Sequence, residues 1–529
     1  MNNNDLLLEK FPKPRNQPLQ SIENNPSLVL YGKRFYKDQT TIEYLAEFLL
    51  IFSSKKFKNI NDNINSDTGE YQFKIDWSKL RYYPENKVAL KLFAFFPTSK
   101  LETRHQVHYQ AYDEIIHLLS QHISCDTKDN SEAIQLLQNL LSGFTGVANN
   151  RTWVTHCFLP ASTSLLAREI SWKHSGSKGA LYRNLSWDDY GKHELMSYFD
   201  HDRHNFMARG GESLFLQLVN LFESLDLEPN SLLHPPQYYE HINFNLPNLK
   251  STLERSLAHL ITNGTGGLNE LANFISELIV DYDIDERDAT LGNIPSASRP
   301  EALLFANELA NICTSSLGTL EKLELLELLC SLQVLRAHCF QASRLDQTEP
   351  TTLGFTGHYV WVVADPDSSS DSSMRKLAQE SLGKIDNILY RVLRHKDLPV
   401  PASYSEANKH GYDIFKKLGK EIGLVIPRTG ASPRFTLNQA ILRFLVAALI
   451  APGERIRLNH FYQRIFAHYG IAIGHEQLSI ALKWIGKETE SDHYSSSSKN
   501  TWVEEALKQG GFLVELSDAV SMVENPSAA

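Results

Sequence analysis

The 529-residue chain lacks the features that define membrane, secreted and disulfide-stapled proteins. Its longest apolar stretch, Phe444 to Ala451, is far shorter than the ~20 residues that a membrane-spanning helix needs. Its first residues, MNNND, carry neither the basic region nor the apolar core of a secretory leader. We therefore expect a cytoplasmic protein with no membrane contact. Its cysteines form no C-x-x-C pair and are too few for a disulfide framework, so we expect reduced thiols at Cys125, Cys157, Cys313, Cys330 and Cys339.

Recognisable catalytic and metal-binding motifs are also missing. The chain contains no G-x-x-x-x-G-K-[ST] loop and no G-x-G-x-x-G after a predicted strand, the two patterns that hold phosphates and dinucleotides. His193-Glu194 lacks the second histidine of H-E-x-x-H, because position 197 is serine. Residues 281–292 imitate the start of a calcium loop, but Glu286 and Gly292 replace its required glycine and glutamate. We therefore expect no metal and no cofactor.

Charge is distributed unevenly along the chain. The formal net charge is −10, which argues against a protein that coats nucleic acid or anionic lipid over its whole surface. From Lys409 to Arg464, however, ten bases stand against three acids, which gives +7 and leaves −17 for the remaining residues. We call residues 409–464 the basic island. A basic segment in an acidic protein is a candidate phosphate-binding surface, and pairing of its bases with the acidic remainder is the competing interpretation.

Helical periodicity dominates the chain and predicts a mainly α, multidomain protein with a helical N-terminal and middle body and minor β. The first forty residues are polar and predict a loose arm. Strands are predicted by the alternation of Tyr71, Phe73 and Ile75 and by the β-formers of 88–96 and 359–364. The predicted helices before residue 360 are 40–52, 106–123, 131–142, 161–170, 212–225, 249–262, 268–281, 300–313 and 317–341.

The last third of the chain repeats one pattern: a helix, a glycine, a strand, a turn and a return strand. It occurs first at 406–437 and again at 502–524, which predicts hairpins near 422–437 and 511–524. Three amphipathic segments lie between the two hairpins. This order of elements resembles that of winged helix-turn-helix domains, which bind DNA or dock proteins. The resemblance implies tandem winged-helix-like modules at the C-terminus.

Composition shifts between these segments suggest where domains begin and end. The Ser/Asp tract that follows Ala364 cannot bury apolar surface, and we expect it to be an exposed, mobile linker. The predicted organisation is a mixed N-terminal domain with a polar arm (1–130), a helical middle domain (131–365), the linker (366–375), a first winged-helix-like module (376–437) and a C-terminal winged-helix-like module (438–529).

Two polar clusters in the middle of the chain are candidate anion-binding sites. The first, 143–153, is a Gly/Asn-rich turn that ends in Arg151 and Trp153. The second, 201–212, precedes an apolar helix with Gly210-Gly211, and a helix N-terminus favours anions. Three basic side chains of this second cluster complete the candidate set. The alternative interpretation is a structural loop whose arginines pair with nearby acids. The candidate anion-binding residues are Arg151, Arg203, His204 and Arg209.

The basic island supplies the candidate nucleic-acid contacts. Helical spacing places three of its lysines on neighbouring positions of one helix, and two arginines bracket the Thr429–Pro433 turn, where a wing would reach phosphate. The acidic stretch from Ile465 to Ala529, with four bases and nine acids, is instead expected to dock protein. The candidate nucleic-acid-binding residues are Lys416, Lys417, Lys420, Arg428, Arg434, Arg455 and Arg457.

Four segments give a family resemblance. FMARGGESLFLQL, GFTGVANNRTW, KLGKEIGLVIPRTG and GGFLVELSDAVSMVENP are similar to segments of uncharacterised subunits of bacterial phage-defence or restriction gene clusters. The resemblance implies a non-enzymatic accessory subunit that works beside a helicase or nuclease partner and binds DNA, protein or both. It assigns no catalytic residue. Two alternatives remain open: a nuclease or phosphohydrolase centred on residues 201–212, and a purely structural scaffold.

Overall fold

The protein is described here from a computed structural model. It covers residues 7–13, 24–32, 35, 40–57, 71–83, 117, 120–121, 129–142, 171–172, 199–200, 209–223, 232–234, 236–263, 289–346, 355–487, 501–517 and 520–526.

Two compact units make up the chain, and neither is a single stretch of sequence. The predicted domains are consecutive stretches, so their boundaries do not coincide with these units. The predicted linker 366–375 lies inside the first unit, with residues of that unit on both sides. The first unit contains Met1–Lys37, Ser213–Ser256 and Gly292–Ala529, and the second contains Asp38–Glu212 and Leu257–Leu291.

Helix greatly exceeds strand in the described residues, as predicted, and most of these helices lie where the apolar periodicity places them. The predicted helices 106–123, 161–170 and 268–281 lie wholly or mostly outside the described residues. The helices are α1 (Pro26–Tyr31), α2 (Thr41–Ser53), α3 (Asn130–Ser142), α4 (Arg209–Phe222), α5 (Leu246–Asn263), α6 (Arg299–Thr314), α7 (Thr319–Asp346), α8 (Ser373–Val392), α9 (Ser405–Ala407), α10 (Asp413–Glu421), α11 (Gln439–Leu449), α12 (Leu458–Tyr469), α13 (His475–Ile485) and α14 (Thr501–Gln509), with a π-helical turn (Asn408–Tyr412) between α9 and α10.

The strands are short. In the described residues β1 pairs with β6, β2 with β5, β3 with β4 and β8 with β9, all antiparallel, whereas β7 and β11 are parallel. A three-stranded sheet has the order β10-β13-β12. The strands are β1 (Lys10–Phe11), β2 (Arg81–Tyr82), β3 (Ser171–Trp172), β4 (Phe199–Asp200), β5 (Ala289–Thr290), β6 (Ile294–Pro295), β7 (Trp361–Val362), β8 (Val425–Ile426), β9 (Arg434–Phe435), β10 (Arg455–Arg457), β11 (Ile471–Ala472), β12 (Leu513–Ser517) and β13 (Val520–Glu524).

Three strand predictions are confirmed. The hairpin predicted near 422–437 is β8–β9, and the one predicted near 511–524 is β12–β13. The strand predicted at 359–364 forms over its central residues as β7 (Trp361–Val362), and every residue of that segment is buried. Trp361 lies at its centre, with its ring 5.7 Å from that of Phe435. The first hairpin is thereby anchored to the core of the first unit.

Helix α7 is the central helix of the first unit. It contacts α1, α6, α8, α10 and α11. Leu326, Leu329 and Leu332 are fully buried, and each contributes roughly 1.5–3 kcal/mol to folding relative to an exposed position. Leucines recur on several sides of this helix, and neighbouring helices cover those sides. That placement also surrounds its polar residues with other elements, and the polar network described below depends on it.

The described parts of the N-terminal forty residues are not a loose arm, and that prediction is wrong for them. Asn25 caps α1 by accepting a hydrogen bond from the amide of Ser27, and Pro26 occupies the first helical turn. Leu30 and Tyr31 are buried in the first unit. The Ser27 hydroxyl donates to the Ala407 carbonyl at 2.5 Å. Polar composition misled the prediction because two apolar side chains and one capped turn are enough to dock a short helix.

Residues 71–75 form no strand, which corrects a second prediction. Their alternating apolar side chains instead cover helix α2 of the second unit, where the ring of Phe73 lies 5.0 Å from that of Phe52 and 6.4 Å from that of Phe48. A period of two marks residues that face a common surface, whether or not a neighbouring strand is present. The second predicted strand, 88–96, lies outside the described residues.

The Ser/Asp tract at 366–373 is exposed at four of its eight residues and half-buried at the others, and it also contains specific turn contacts. The Asp365 carboxylate accepts a hydrogen bond from the Asp367 amide at 2.9 Å. Arg375 donates to the Ser368 carbonyl at 3.0 Å, and Ser372 caps helix α8. Asp365 therefore starts a turn, as Asp-Pro sequences commonly do. The predicted mobility of this tract stays a prediction.

Candidate functional site

Helix α10 carries three of the predicted nucleic-acid contacts. The Lys416 ammonium lies 2.7 Å from an Asp386 carboxylate oxygen on α8, so its charge is partly compensated within the first unit. Lys417 and Lys420 are half-buried and lie one and four residues after Lys416 on the same helix. Both lie in its last two turns, where cations are favoured by the helix dipole.

Arg428 lies just after strand β8, and its side chain contacts the last residue of α10. It is exposed, and its guanidinium donates to the Glu421 carbonyl at 3.2 Å. Burial raises the pKa of the Glu421 carboxyl, while nearby Lys417 and Arg428 partly counteract this effect. The fold therefore brings Lys417 and Arg428 to one place, at the C-terminal end of α10. We call Lys417, Lys420 and Arg428 the α10 cation cluster.

Arg434 does not belong to that surface. It is buried on β9, which packs against α8, and it donates to the Pro366 carbonyl at 2.7 Å. Burial lowers its pKa, as does nearby Arg375, while Asp365 raises it. The two arginines at the ends of the Thr429–Pro433 turn therefore differ: Arg428 is exposed and Arg434 is buried. Both residues of β9 are buried, so Arg434 has no solvent-facing side on that strand.

Arg455 and Arg457 lie apart from the α10 cation cluster in sequence, on strand β10 of the three-stranded sheet. Both are exposed, while Ile456 between them is buried, as expected for alternating strand positions. Arg455 faces Glu524 across the strand pair and contacts its carboxylate at 2.5 and 3.0 Å. Arg457 faces Met522. Of the two, Arg457 is therefore the better placed for a phosphate.

Other bases of the island also meet acids. Lys409 pairs with Glu406 at 2.8 Å and Arg464 with Glu454 at 2.8 Å, while Arg443 pairs with Glu321. These contacts support the competing interpretation for a large part of the island, in which its charge is balanced within the protein. The more exposed of these pairs, Lys409 with Glu406 and Arg443 with Glu321, are weak, about 0–1 kcal/mol each, so their main effect is to reduce the local field.

Most of the candidate anion-binding residues cannot be placed. Arg151, Arg203 and His204 lie outside the described residues, and Arg209 begins helix α4 with its side chain outside them.

The Gly-Gly sequence at the start of α4 permits a close approach between two helices. A β-carbon on Gly211 would lie 2.5 Å from the Tyr44 carbonyl oxygen and 2.6 Å from the Glu47 β-carbon on α2. The Glu212 amide, in the first turn of α4, donates to the Glu47 carboxylate at 3.1 Å. The helix N-terminus thus faces an anion, as expected, and the protein itself supplies that anion.

A buried ion pair that sequence reasoning missed lies in the first unit. Glu308 of α6 and Arg336 of α7 are both fully buried, and the guanidinium contacts the two carboxylate oxygens at 2.6 and 2.8 Å. Arg336 also donates to the side chain of Gln333 at 2.7 Å and to the His468 carbonyl at 3.1 Å. Its guanidinium carbon lies 4.5 Å from the centre of the Tyr469 ring.

Helix α12 completes the coordination of the Glu308 carboxylate. His468 Nδ1 lies 2.7 Å from one oxygen, and the Tyr469 hydroxyl donates to the other at 2.8 Å. His468 Nε2 in turn lies 2.8 Å from Nε2 of His241, which is half-buried. We call Glu308, Arg336, His468, Tyr469 and His241 the buried network. Each carboxylate oxygen accepts two hydrogen bonds, so the buried charge is fully satisfied.

The partners assign the proton positions in this network. An ionised Glu308 only accepts, so His468 carries its proton on Nδ1 and accepts at Nε2 from His241. Burial by itself raises the pKa of Glu308, but Arg336 and His468 lower it to below its usual range. Burial lowers the pKa of His468, with Arg336 and Arg464 adding to the effect against the opposing Glu308. Burial, His468 and Arg464 lower the pKa of His241 to about 2.

The buried network holds elements of the fold together, and all of its members except the half-buried His241 are buried. It joins α6, α7, α12 and the segment that precedes α5, all within the first unit. A sequence signal existed: Arg336 interrupts a leucine-rich helix and Glu308 lies within an apolar one. Charged residues are rarely fully buried unless they are paired. That rule indicates a partner for each residue without identifying it.

Among the residues that the structure describes, no group of three His, Cys, Asp or Glu side chains is arranged to hold a metal. In the same residues, no helix is long and apolar enough to cross a bilayer. No protein-family model, no curated protein and no solved structure matches the chain.

Proposed function

We propose that the protein is a non-enzymatic accessory subunit of a bacterial defence-like complex, with a C-terminal winged-helix-like module that docks a protein partner. The observation that supports this most is the order of α11, β10, α12, α14, β12 and β13, with β10 as the third strand beside the hairpin. Helix α11 contacts both α12 and α14. This order supports the winged-helix-like interpretation, because a hairpin with a third strand beside it follows helices that pack together; β11 and α13 lie between α12 and α14.

Charge favours a protein partner for this module. On α14, Glu505 is exposed and Glu504 half-exposed, and in the hairpin Glu515 is exposed. Phosphates would be repelled by these carboxylates. Leu516 is 59% exposed and lies where the register of β12 shifts between Glu515 and Ser517. A bulge of this kind turns a side chain away from the ladder, and here it presents a leucine beside acidic groups.

The docking surface can be tested with one substitution. Leu516→Asp should weaken capture of protein partners from the native host by at least about tenfold, since a central apolar contact of this kind carries about 2 kcal/mol. Tagged wild-type and variant chains would be compared by quantitative mass spectrometry after crosslinking. The matched control is Leu320→Asp, because Leu320 is also exposed, at 47%, and lies on α7. Equal losses in both variants would contradict the proposal.

For the first module we propose a contact with nucleic-acid phosphates through the α10 cation cluster. Its support is the meeting of Lys417 and Arg428 at the end of α10, with Lys420 next to them. Contacts made only to phosphate carry no sequence information, so the binding should be non-specific and salt-dependent. Because other bases of the island are paired with carboxylates, this proposed contact involves fewer residues than the sequence alone suggests.

Reversing the α10 cation cluster provides the test. Lys417→Glu, Lys420→Glu and Arg428→Glu together should reduce the dependence of log affinity on log salt by about 3 for duplex DNA, since each lost phosphate contact removes roughly 0.9 from that slope. Fluorescence anisotropy at several salt concentrations measures it. The control reverses Lys250, Lys483 and Lys508, which changes the net charge equally. An unchanged slope in a folded cluster variant would exclude the contact.

The nuclease or phosphohydrolase alternative depends on residues 201–212, which lie mostly outside the described residues, and it stays a prediction. A metal-dependent nuclease assay on the purified chain separates it from a binding role. A pure scaffold would show neither nucleic-acid binding nor the partner loss described above.

A further inference from the structure

A row of three tyrosines and two cations lies at the end of helix α8 and the start of α10. The Arg394 guanidinium carbon is 3.5 Å from the centre of the Tyr390 ring and 4.4 Å from that of Tyr404. Tyr412 meets Tyr390 edge-on, with ring centres 5.5 Å apart, and the Lys416 ammonium lies 5.8 Å from the Tyr412 ring. We call Tyr404, Arg394, Tyr390, Tyr412 and Lys416 the tyrosine row.

Backbone and side-chain contacts hold the row in place. Tyr390 and Arg394 are four residues apart, and Arg394 donates to the Tyr390 carbonyl at 2.8 Å, which keeps its guanidinium beside the ring. At the other end the Asp386 carboxylate accepts from the Tyr412 hydroxyl at 2.9 Å and from Lys416 at 2.7 Å. Stacking surfaces that are already fixed lose little side-chain freedom when a ligand binds.

The exposure of Tyr390 sets it apart from the tyrosines of the core. It is 44% exposed, whereas Tyr359 and Tyr469 are fully buried. Arg394 covers one face of its ring, so the exposed area belongs to the rest of the ring. Large exposed aromatic rings in a fixed position are typical of binding surfaces.

Charge around the row favours a polyanion. From Lys384 to Arg428 the chain has nine bases and five acids, a net +4 within a protein of net charge −10. Three of the nine bases are paired with carboxylates: Arg391, Lys409 and Lys416. Proteins that bind single strands combine a basic surface with aromatic rings on which bases stack. A protein partner would not require cations interleaved with the rings. Duplex bases are already stacked on one another and offer no free face.

We propose that the tyrosine row is a stacking platform for single-stranded nucleic acid, with a base on Tyr390 and phosphates near the flanking cations. The proposal rests on the proposed phosphate contact of the first module and adds the class of strand that it receives. Arg394 and Tyr412 position the Tyr390 ring, and the α10 cation cluster attracts the backbone. Sequence preference should be weak, because every base has a face that stacks.

The test compares strands and side chains in the full-length protein. Anisotropy of a fluorescein-labelled oligothymidylate should show about 5- to 150-fold weaker binding for Tyr390→Leu, since stacking on one ring is worth about 1–3 kcal/mol per base. Tyr390→Phe, which keeps the ring, should bind like the wild type. Affinity for a mixed-sequence duplex should be the same in all three proteins. Tyr238→Leu, at a half-buried tyrosine outside the row, is the matched control.

Each other outcome overturns the proposal. Unchanged oligothymidylate binding by Tyr390→Leu would show that no base stacks on this ring. The proposed phosphate contact would still hold in that case if reversing the α10 cation cluster reduces the salt dependence of binding. Equal losses for single strand and duplex point to a structural effect. If the wild type binds neither strand, the phosphate contact fails as well. Loss of a protein complex by Tyr390→Leu with oligothymidylate binding unchanged would assign the row to a protein partner.

Discussion

Replacing Arg336 by methionine is expected to lower the free energy of unfolding of the first unit by about 3–5 kcal/mol. The substitution leaves the Glu308 carboxylate fully buried without its cation, and an uncompensated buried charge costs that much. Methionine keeps most of the side-chain volume, so the loss reports the charge and little of the packing. Urea titration and differential scanning calorimetry at neutral pH measure the change.

Two further variants make this prediction specific. Arg391→Met breaks a pair of similar geometry, Arg391 with Asp346 at 2.5 and 2.9 Å, but that arginine is 63% exposed and its loss should cost less than about 1 kcal/mol. Arg336→Met combined with Glu308→Leu removes both buried charges and should recover much of the stability. Equal effects of Arg336→Met and Arg391→Met would show that burial of the pair does not matter.

The buried network also explains what the fold needs from α12. His468 and Tyr469 are neighbours in sequence, and both reach the Glu308 carboxylate from the last turn of that helix. Gly470 then ends the helix in a left-handed conformation, and a β-carbon there would lie 2.6 Å from the Phe355 ring. Strand β11 starts at the next residue and pairs with β7. One short stretch of chain therefore connects the network, the helix end and the central strand.

Local pattern was sufficient to predict many helices and both C-terminal hairpins. The leucines from Leu320 to Leu335 repeat at helical spacing, and α7 forms over them. Gly423 and Gly511, both with positive φ, precede the two hairpins. These features depend on residues a few positions apart. Sequence reasoning sees such relationships directly.

Contacts between distant residues explain what sequence reasoning missed. Lys416 pairs with an aspartate 30 positions earlier and Arg455 with a glutamate 69 positions later, so counting charges within residues 409–464 could not show that they are compensated. Arg336 and Glu308 are 28 positions apart, and His468 lies 160 positions from that glutamate. Neither spacing follows a secondary-structure period.

The division into two units could not be predicted either, because it also depends on contacts between residues that are distant in sequence. Each unit combines stretches that are not continuous in sequence: residues 38–212 separate the first two stretches of the first unit, and residues 213–256 separate the two stretches of the second. No Pro/Ser-rich linker marks the exchanges at Ser213 and at Leu257. Both exchanges occur inside helices, α4 and α5, where the apolar pattern continues without a break. Composition changes detect exposed linkers, and at these two positions the chain passes from unit to unit without one.

Acidification is expected to destabilise the first unit through His241 and His468. In the folded protein the pKa of His241 is lowered to about 2 and that of His468 is also lowered, whereas in the unfolded chain both take up protons near the ordinary value of 6.5. The unfolded state therefore binds more protons at all pH values between these limits. The stability that the two neutral histidines give the folded protein is fully present above pH ~6.5. As pH falls below that value, the free energy of unfolding decreases by up to about 1.4 kcal/mol per pH unit for each histidine.

His241→Gln isolates one of these two protons. Glutamine can still donate a hydrogen bond to His468 Nε2, so stability at pH 8 should stay within about 1 kcal/mol of the wild type. Between pH 6 and pH 5 the variant should lose about 1 kcal/mol less than the wild type, because it no longer gains a proton on unfolding. Chemical denaturation across that range measures the slopes, and His460→Gln, at an exposed position of α12, controls for removal of a histidine. If His241→Gln has the same pH slope as the wild type, His241 does not stay neutral in the folded protein.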